Sequence, residues 1–250
     1  AQLASVQAEL LALAALVPGE RVLDVACGTG LVTFKSASAV GASGRVLGVD
    51  LSGLMVDAAQ KRAWERGLSS VSFERMDAEA LELPDASFDV ALCALGLMYM
   101  PDPGQAVGEM QRVLRPGGRM VIAVWGERSR CGWSALFPIV DAEVASEVCP
   151  LFFGLGQEGA LANLCARANF EVIEQRRIST TLLYADADEA CNAAFVGGPV
   201  ALAWSRFSEH TRAGVRSRYL DAIDRWRDDP GYRVPGEFVV VSAVAPERLS

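Results

Sequence analysis

Val22-Leu23-Asp24-Val25-Ala26-Cys27-Gly28-Thr29-Gly30 opens as a short apolar run and closes in a turn carrying two glycines, and Phe34, Ala37 and Val40 follow at helical spacing. Such a run, bounded by a glycine turn and succeeded by a 3.6-residue period, predicts strand, tight turn, helix. The pattern then repeats. Arg45 to Val49 reads as a strand, Leu54 to Arg66 as a helix, Val71 to Arg75 as a strand and Val90 to Leu95 as a wholly apolar strand. A helix from about Gln105 to Leu114 and a strand from Arg119 to Trp125 come next. Upstream, Leu3, Val6, Leu10, Leu13 and Val17 predict a helix over 2–17 that Pro18-Gly19 stops. Strands alternating with helices at this spacing imply right-handed β-α-β units, hence an α/β fold with a mainly parallel sheet covered on both faces.

The texture changes after Trp125, since fourteen of the nineteen aromatic residues lie from there onward. Two further strands are expected, Phe170 to Ile178 and Glu237 to Val244, completing a seven-stranded sheet. The chain is thus read as a single domain over 1–250, its first half (1–125) built for a ligand. The segments at about 127–160 and 184–235 are expected to be insertions that form a helical, aromatic lid. Trp133, Phe137, Phe152, Phe153, Phe195, Trp204 and Phe207 are its candidate rings, and such a lid favours a flat or lipophilic small molecule; the alternative reading is a helical subdomain that uses the same rings as its own core. Asp228-Asp229-Pro230-Gly231 reads as a turn, and the helix over 208–227 carries charges all around, as an outer surface would.

With 51% hydrophobic and 22% charged residues over 250 positions, the chain has ample material for a globular core. Lys and Arg total 23 against 31 Asp and Glu, a net charge of -8. That is the wrong sign for a domain that lives on phosphate backbones, so nucleic acid is not expected as a partner. The longest nearly unbroken apolar run, Val90 to Met100, is about half of the roughly 20 residues a membrane span needs. No basic region precedes Arg21, so no export signal is expected. Six dispersed cysteines without a C-x-x-C pair, and the single His210, supply no metal site; they read as reduced thiols in a cytoplasmic protein.

Gly28 and Gly30 let the backbone come close to a ligand at the end of the first strand, where an open α/β sheet places its crevice. Asp50 ends the second strand, and an acidic side chain there can accept both hydroxyls of a ribose. A dinucleotide fingerprint would need a third glycine where Thr33 stands, which speaks against a pyrophosphate.

Four ordered segments carry a family resemblance. Val22 to Gly30 resembles the first motif of class I S-adenosylmethionine-dependent methyltransferases, particularly the branch related to ubiquinone/menaquinone C-methyltransferases. Val49-Asp50-Leu51-Ser52 with Met55 resembles the ribose segment. Asp77-Ala78-Glu79, Leu83-Pro84 and Ser87-Phe88-Asp89 resemble the adenine segment and the entry to strand four. Arg112-Val113-Leu114-Arg115-Pro116-Gly117-Gly118 resembles the turn before strand five. Beyond Trp125 the similarity is general, with Ala168-Asn169-Phe170 standing where the family often has Ala-Gly-Phe; Asn tolerates the left-handed helix end.

The resemblance implies a Rossmann-like fold and S-adenosylmethionine as cofactor, leaving as S-adenosylhomocysteine. It gives Asp24 the turn and the methionine ammonium, directly or through water, with the backbone of Ala26 and Gly28 bordering the amino-acid end and Gly30 closing the turn. Ala26 replaces a glycine common in relatives. Asp50 takes the ribose, Leu51 and Met55 pack on the adenine, Asp77 accepts from its exocyclic amine with the Ala78 amide opposite a ring nitrogen, and the Cys93 carbonyl faces the ammonium. The partner is a small-molecule methyl acceptor, quinone-like or otherwise aromatic, with an amine or sugar as second choice; carbon, oxygen and nitrogen acceptors stay open. Should a base be needed, His210 has the suitable unperturbed pKa, and Tyr99 lies just past strand four, in a window that often holds a His in relatives. Two rival readings are a methyltransferase-fold binding module without activity and a nicotinamide-dependent oxidoreductase.

Overall fold

The computed structural model describes residues 3–144, 149 and 151–247. In chain order the described elements are α1 (Ala4–Ala14), β1 (Arg21–Val25), α2 (Leu31–Val40), β2 (Arg45–Asp50), α3 (Gly53–Glu65), β3 (Val71–Arg75), β4 (Phe88–Ala94), α4 (Pro103–Val113), β5 (Leu114–Trp125) and α5 (Leu136–Val144). After them come α6 (Ala160–Arg167), β6 (Glu171–Tyr184), α7 (Ala187–Phe195), α8 (Ala201–Arg206), α9 (Glu209–Ile223), β7 (Arg227–Asp228) and β8 (Gly231–Val244). The strands form one sheet in the order β3-β2-β1-β4-β5-β8-β6, with the two-residue β7 paired to β8. The expected seven strands are therefore present, plus one short ribbon.

β1 pairs in parallel with β2 from Arg21↔Arg45 to Val25↔Val49, and on its other edge with β4 from Val22↔Val90 to Asp24↔Leu92. β2–β3 and β4–β5 are also parallel. β8 runs against β5: the Gly117 amide donates to the Ala245 carbonyl and the Gly126 amide to the Glu237 carbonyl, so one strand ascends as the other descends. The order reverses between β1 and β4, and an open sheet binds its ligand outside the carboxyl ends of the strands at such a switch point.

The described residues divide into two compact units. The larger comprises Leu3–Val124, Glu158–Arg177 and the chain from Val239 onward; the other comprises Trp125–Gln157 and Ile178–Phe238. In the larger unit the central strands are apolar on both faces, as helix-covered parallel strands must be: Val22, Leu23 and Val25 of β1 and Val90, Ala91 and Leu92 of β4 are all buried. α4 shows why its residues form a helix. The Asp102 carboxylate accepts the Gln105 amide at 3.0 Å, Pro103 occupies the first turn, and Ala106, Val107, Met110 and Val113 form one buried stripe. Asn169, just past α6, adopts the expected left-handed conformation at φ +59°.

In the second unit, Asp186 caps α7 by accepting the Glu189 amide, while the Glu189 carboxylate accepts the Ala185 amide, a reciprocal cap. Ser208 caps α9 by accepting the Thr211 amide at 3.1 Å. α9 is not charged all around as expected: Val215, Tyr219 and Ile223 recur every four residues as a buried stripe. β6 and β8 extend to Tyr184 and back to Gly231, well beyond the segments read as strands. The sequence 228–231 is the turn that joins β7 to β8.

Candidate functional site

The turn after β1 alternates left-handed residues: φ is +54° at Ala26, +54° at Gly28 and +86° at Gly30. The Cys27 amide donates to the Val49 carbonyl and the Gly30 amide to the Cys27 carbonyl, each at 3.0 Å, fixing the turn against β2. A side chain on Gly30 would stand 2.7 Å from the Phe34 ring, whereas one on Gly28 would meet nothing within 4 Å. Gly30 is thus a packing glycine, and Gly28 borders open space at the strand ends. Ala26 holds a conformation that costs an L-residue roughly 1–2 kcal/mol. Its methyl group is admitted only because residue 96 is glycine; a side chain there would lie 2.3 Å from the Ala26 Cβ.

Two carboxylates flank the turn. Asp24 is 1% exposed, and its Oδ2 accepts the Thr33 hydroxyl at 2.5 Å. Burial pushes its carboxyl up to about 7, with the hydrogen bonds from Thr33 opposing that rise and the nearby Asp50 charge adding to it. Asp50, at the end of β2, is half-buried; its Oδ2 accepts the Gly28 amide at 2.8 Å and its Oδ1 the Ser52 amide at 2.9 Å. These bonds aim the carboxylate and leave lone pairs for further donors. Beside it, Leu51 and Met55 are 64% and 44% exposed, an apolar shelf on which neither side chain finds a core.

Asp77 follows β3, is exposed, and accepts the Glu79 amide at 2.9 Å; Ala78 beside it is half-buried. Cys93, near the end of β4, is fully buried, and burial together with the charge of Asp24 pushes its thiol up to about 12, so the sulfur stays a neutral packing group. Tyr99 closes the 3-10 turn Leu97–Tyr99 after β4 and is 50% exposed. The larger unit therefore brings Asp24, Ala26, Gly28, Gly30, Asp50, Leu51, Met55, Asp77, Ala78, Cys93 and Tyr99 to the carboxyl ends of β1 to β4. His210 belongs to the second unit, exposed in the first turn of α9.

Three contributors escaped the sequence reading. Thr33, noted only as a missing glycine, is the hydroxyl partner of Asp24. Gly96 makes room for Ala26. Arg112 donates to the carbonyls of Leu81 and Leu83, each at 2.7 Å, and pairs with Asp85 and Glu109 at the same distance, so one guanidinium ties down the loop after Asp77. Its signal in the sequence is the Glu109–Arg112 spacing on one helix face.

The expected lid rings turn toward one another. Trp133 lies 6.0 Å from Phe137, 5.8 Å from Phe152 and 5.5 Å from Phe153 between ring centroids, and Phe195 stacks on Trp204 at 4.4 Å. Trp133, Phe137, Phe152, Phe153 and Phe195 are buried in the second unit, and Trp204 and Phe207 are half-exposed.

Residues 16–149, more than half of the chain, match the family described as Methyltransferase domain. The chain belongs to the methyltransferase family. Its class is the S-adenosylmethionine-dependent class I that the motifs resemble, and its relatives include the ubiquinone/menaquinone branch. This methyltransferase is 43% identical to the ubiquinone/menaquinone biosynthesis C-methyltransferase UbiE of Hahella chejuensis over 105 residues, 42% of each chain. It is 40% identical to the aklanonic acid methyltransferase DauC of Streptomyces sp. strain C5 over 104 residues, 42% of this chain and 47% of that one. The matched stretch spans under half the length of these curated relatives. Among solved structures, a Bacillus halodurans protein of the same fold superposes with a TM-score of 0.70 at 21% identity, over 97% of this chain and 99% of that one. The [4+2]-cyclase SpnF does so with a TM-score of 0.63 at 23% identity, over 97% and 80%. These likenesses establish the Rossmann-like α/β fold. Among the described residues no helix is long and apolar enough to cross a membrane.

Proposed function

We propose that this chain transfers the methyl group of S-adenosylmethionine to a small aromatic or lipophilic molecule. The observation that carries the reading is the Asp50 carboxylate, aimed by the Gly28 and Ser52 amides beside the exposed Leu51 and Met55. An acceptor pair next to an apolar shelf fits a ribose joined to a purine. The rest of the site fits an ammonium-bearing tail: Gly28 borders open space with the Asp50 carboxylate beside it, and the acid of Asp24 lies buried beneath the turn. The Asp50 carboxylate beside Gly28 disfavours an anionic pyrophosphate at the start of α2, which weighs against the nicotinamide reading.

When bound, S-adenosylmethionine supplies a methyl group already activated on a sulfonium. What remains for the chain is to orient and to exclude water. Asp50 would hold the ribose, Leu51 and Met55 the adenine faces, Asp77 and the Ala78 amide its polar edge, and Asp24 with the backbone of residues 26–28 and 93 the amino-acid end. Positioning alone can account for roughly 7–11 kcal/mol of barrier, so no dedicated base is required for an acceptor atom that already carries a free lone pair, whereas a carbon or hydroxyl acceptor must also give up a proton, to solvent or to a side chain. For an acidic hydroxyl acceptor Tyr99 is the favoured polar group, since it closes the turn that follows β4 in the unit that carries the cofactor residues.

The acceptor class is taken from the relatives' activities, on aklanonic acid in one case and in ubiquinone and menaquinone biosynthesis in the other. We place the protein in the cytoplasm. Because a cyclase shares the fold, the test must read methyl transfer itself. Methyl-labelled S-adenosylmethionine is incubated with the full chain and a panel of quinols, aromatic carboxylic acids, amines and sugars. Label in a quinol or aromatic acid supports the proposal. Label only in an amine or sugar overturns the acceptor class, and binding without label in any of them favours a non-catalytic module.

A further inference from the structure

Asp24 presents an unbalanced charge. It is buried at the end of β1, and the groups facing it from every neighbouring element are neutral or negative: the Thr33 hydroxyl from α2, the Asp50 carboxylate from β2, the Cys27 thiol from the turn and the Cys93 thiol from β4. The cations on the neighbouring elements have partners other than Asp24. Arg62 of α3 donates to the Thr29 carbonyl at 3.2 Å, and Arg66, just past that helix, lies over the Phe34 ring at 4.4 Å. On β3, Arg75 donates to the Leu51 carbonyl. Among the described residues, then, no ion pair is made to Asp24. Asp50, by contrast, is half-exposed and accepts two amides.

An isolated buried carboxylate is expensive in its charged form and takes up a proton unless a cation arrives. We propose that Asp24 holds a proton in the ligand-free protein and gives it up to solvent when a ligand's ammonium group binds at this turn, with Thr33 as the positioning residue that steadies the anion so formed. The step balances as one carboxylic acid becoming one carboxylate, one proton passing to buffer and the ligand's ammonium group taking its place as local counter-charge. The inference rests on the cofactor reading above, for S-adenosylmethionine and its demethylated product both carry an ammonium. Burial lifts the Asp24 carboxyl to about 7, so the exchange falls in the working range of a cell. Thr33 donates its hydroxyl to the carboxylate; in the anion that bond strengthens, and without it the proton is held to higher pH.

Two measurements on the full chain test this. In the first, S-adenosylhomocysteine is titrated calorimetrically between pH 6 and 8.5, in buffers of different ionisation enthalpy, so that released protons are counted. Close to one proton per ligand is expected at pH 6, fading to none by about pH 8.5. Asp24→Asn abolishes the release, Thr33→Val moves its fading upward by about one pH unit, and Thr33→Ser restores the original profile. Binding with no release at pH 6, or with release unchanged in Asp24→Asn, overturns the inference and leaves the cofactor reading standing. In the second, the Asp24 carboxyl carbon, assigned by its loss in Asp24→Asn, is followed by carbon-13 NMR. Titration close to pH 7 without ligand, abolished by saturation, supports the inference; titration near pH 4 without ligand overturns it. Failure of the ligand to bind at any pH overturns the cofactor reading and the release step with it.

Discussion

The Gly28 amide donates to the Asp50 carboxylate at 2.8 Å across the carboxyl ends of two adjacent parallel strands. The bond makes a single unit of what read in the sequence as two motifs 22 residues apart. Gly28 supplies a left-handed amide and Asp50 supplies the charge that amide aims. Any ligand held by Asp50 is thereby held in register with the backbone that follows Asp24.

Ala26 and Gly96 are coupled. Gly96→Ala places a methyl group 2.3 Å from the Ala26 Cβ, and overpacking of this kind costs roughly 1–3 kcal/mol. Ala26→Gly removes the obstacle and the left-handed strain together, so the double variant recovers most of the loss. Urea unfolding of both single variants and the double one closes the cycle; simple additivity would contradict the coupling.

The Asp24 carboxyl makes the ligand-free protein less stable as pH rises. Its folded value of about 7 lies above the ordinary 3.8. Below pH 4 both states carry the proton, and Asp24 contributes nothing to the pH dependence. Between pH 4 and 7 the unfolded chain has lost the proton while the folded chain keeps it, so stability falls across that window and levels off above it. The scale is roughly 1.4 kcal/mol per pH unit of displacement. Asp24→Asn, which can still accept from Thr33, flattens this slope; equal slopes in urea midpoints for the two proteins from pH 4.5 to 7.5 would count against the buried acid.

Arg112 ties the loop 81–85 to α4. Arg112→Lys keeps the charge but loses the planar fork that reaches two carbonyls and two carboxylates at once. Because the guanidinium is partly exposed, the expected loss of stability is modest, about 1–2 kcal/mol. Hydrogen exchange in residues 79–85 should rise with it. A loop whose exchange is unaltered would show that Arg112 does not order it.

The strand–turn–helix units of the larger unit were legible because each rests on local pattern: apolar runs, glycine turns and helix caps within a dozen residues. The site residues of the resemblance came together for the same reason, each standing at a strand end. What stayed hidden depends on contacts far apart in the chain. Nothing around Arg112 announces that it will meet Leu81, and nothing around Gly96 announces Ala26. β8 outran its apolar core because pairing can carry a strand through residues such as Arg233 and Gly236 that propensity would leave outside, while β6 runs on past Ile178 through Thr180, Thr181 and Tyr184. Aromatic content told that rings would cluster after Trp125. It could not tell that Trp133 would spend its faces on Phe137, Phe152 and Phe153.

Calorimetric titration of S-adenosylhomocysteine into the wild type and Asp50→Ala is the most direct test of the whole account. The wild type should bind at micromolar concentration with one site per chain, and Asp50→Ala should bind about 10- to 100-fold more weakly, the loss of charge-assisted hydrogen bonds worth roughly 1.5–3 kcal/mol. Equal affinity in the two proteins, or no binding by the wild type, would contradict a ribose held at the end of β2.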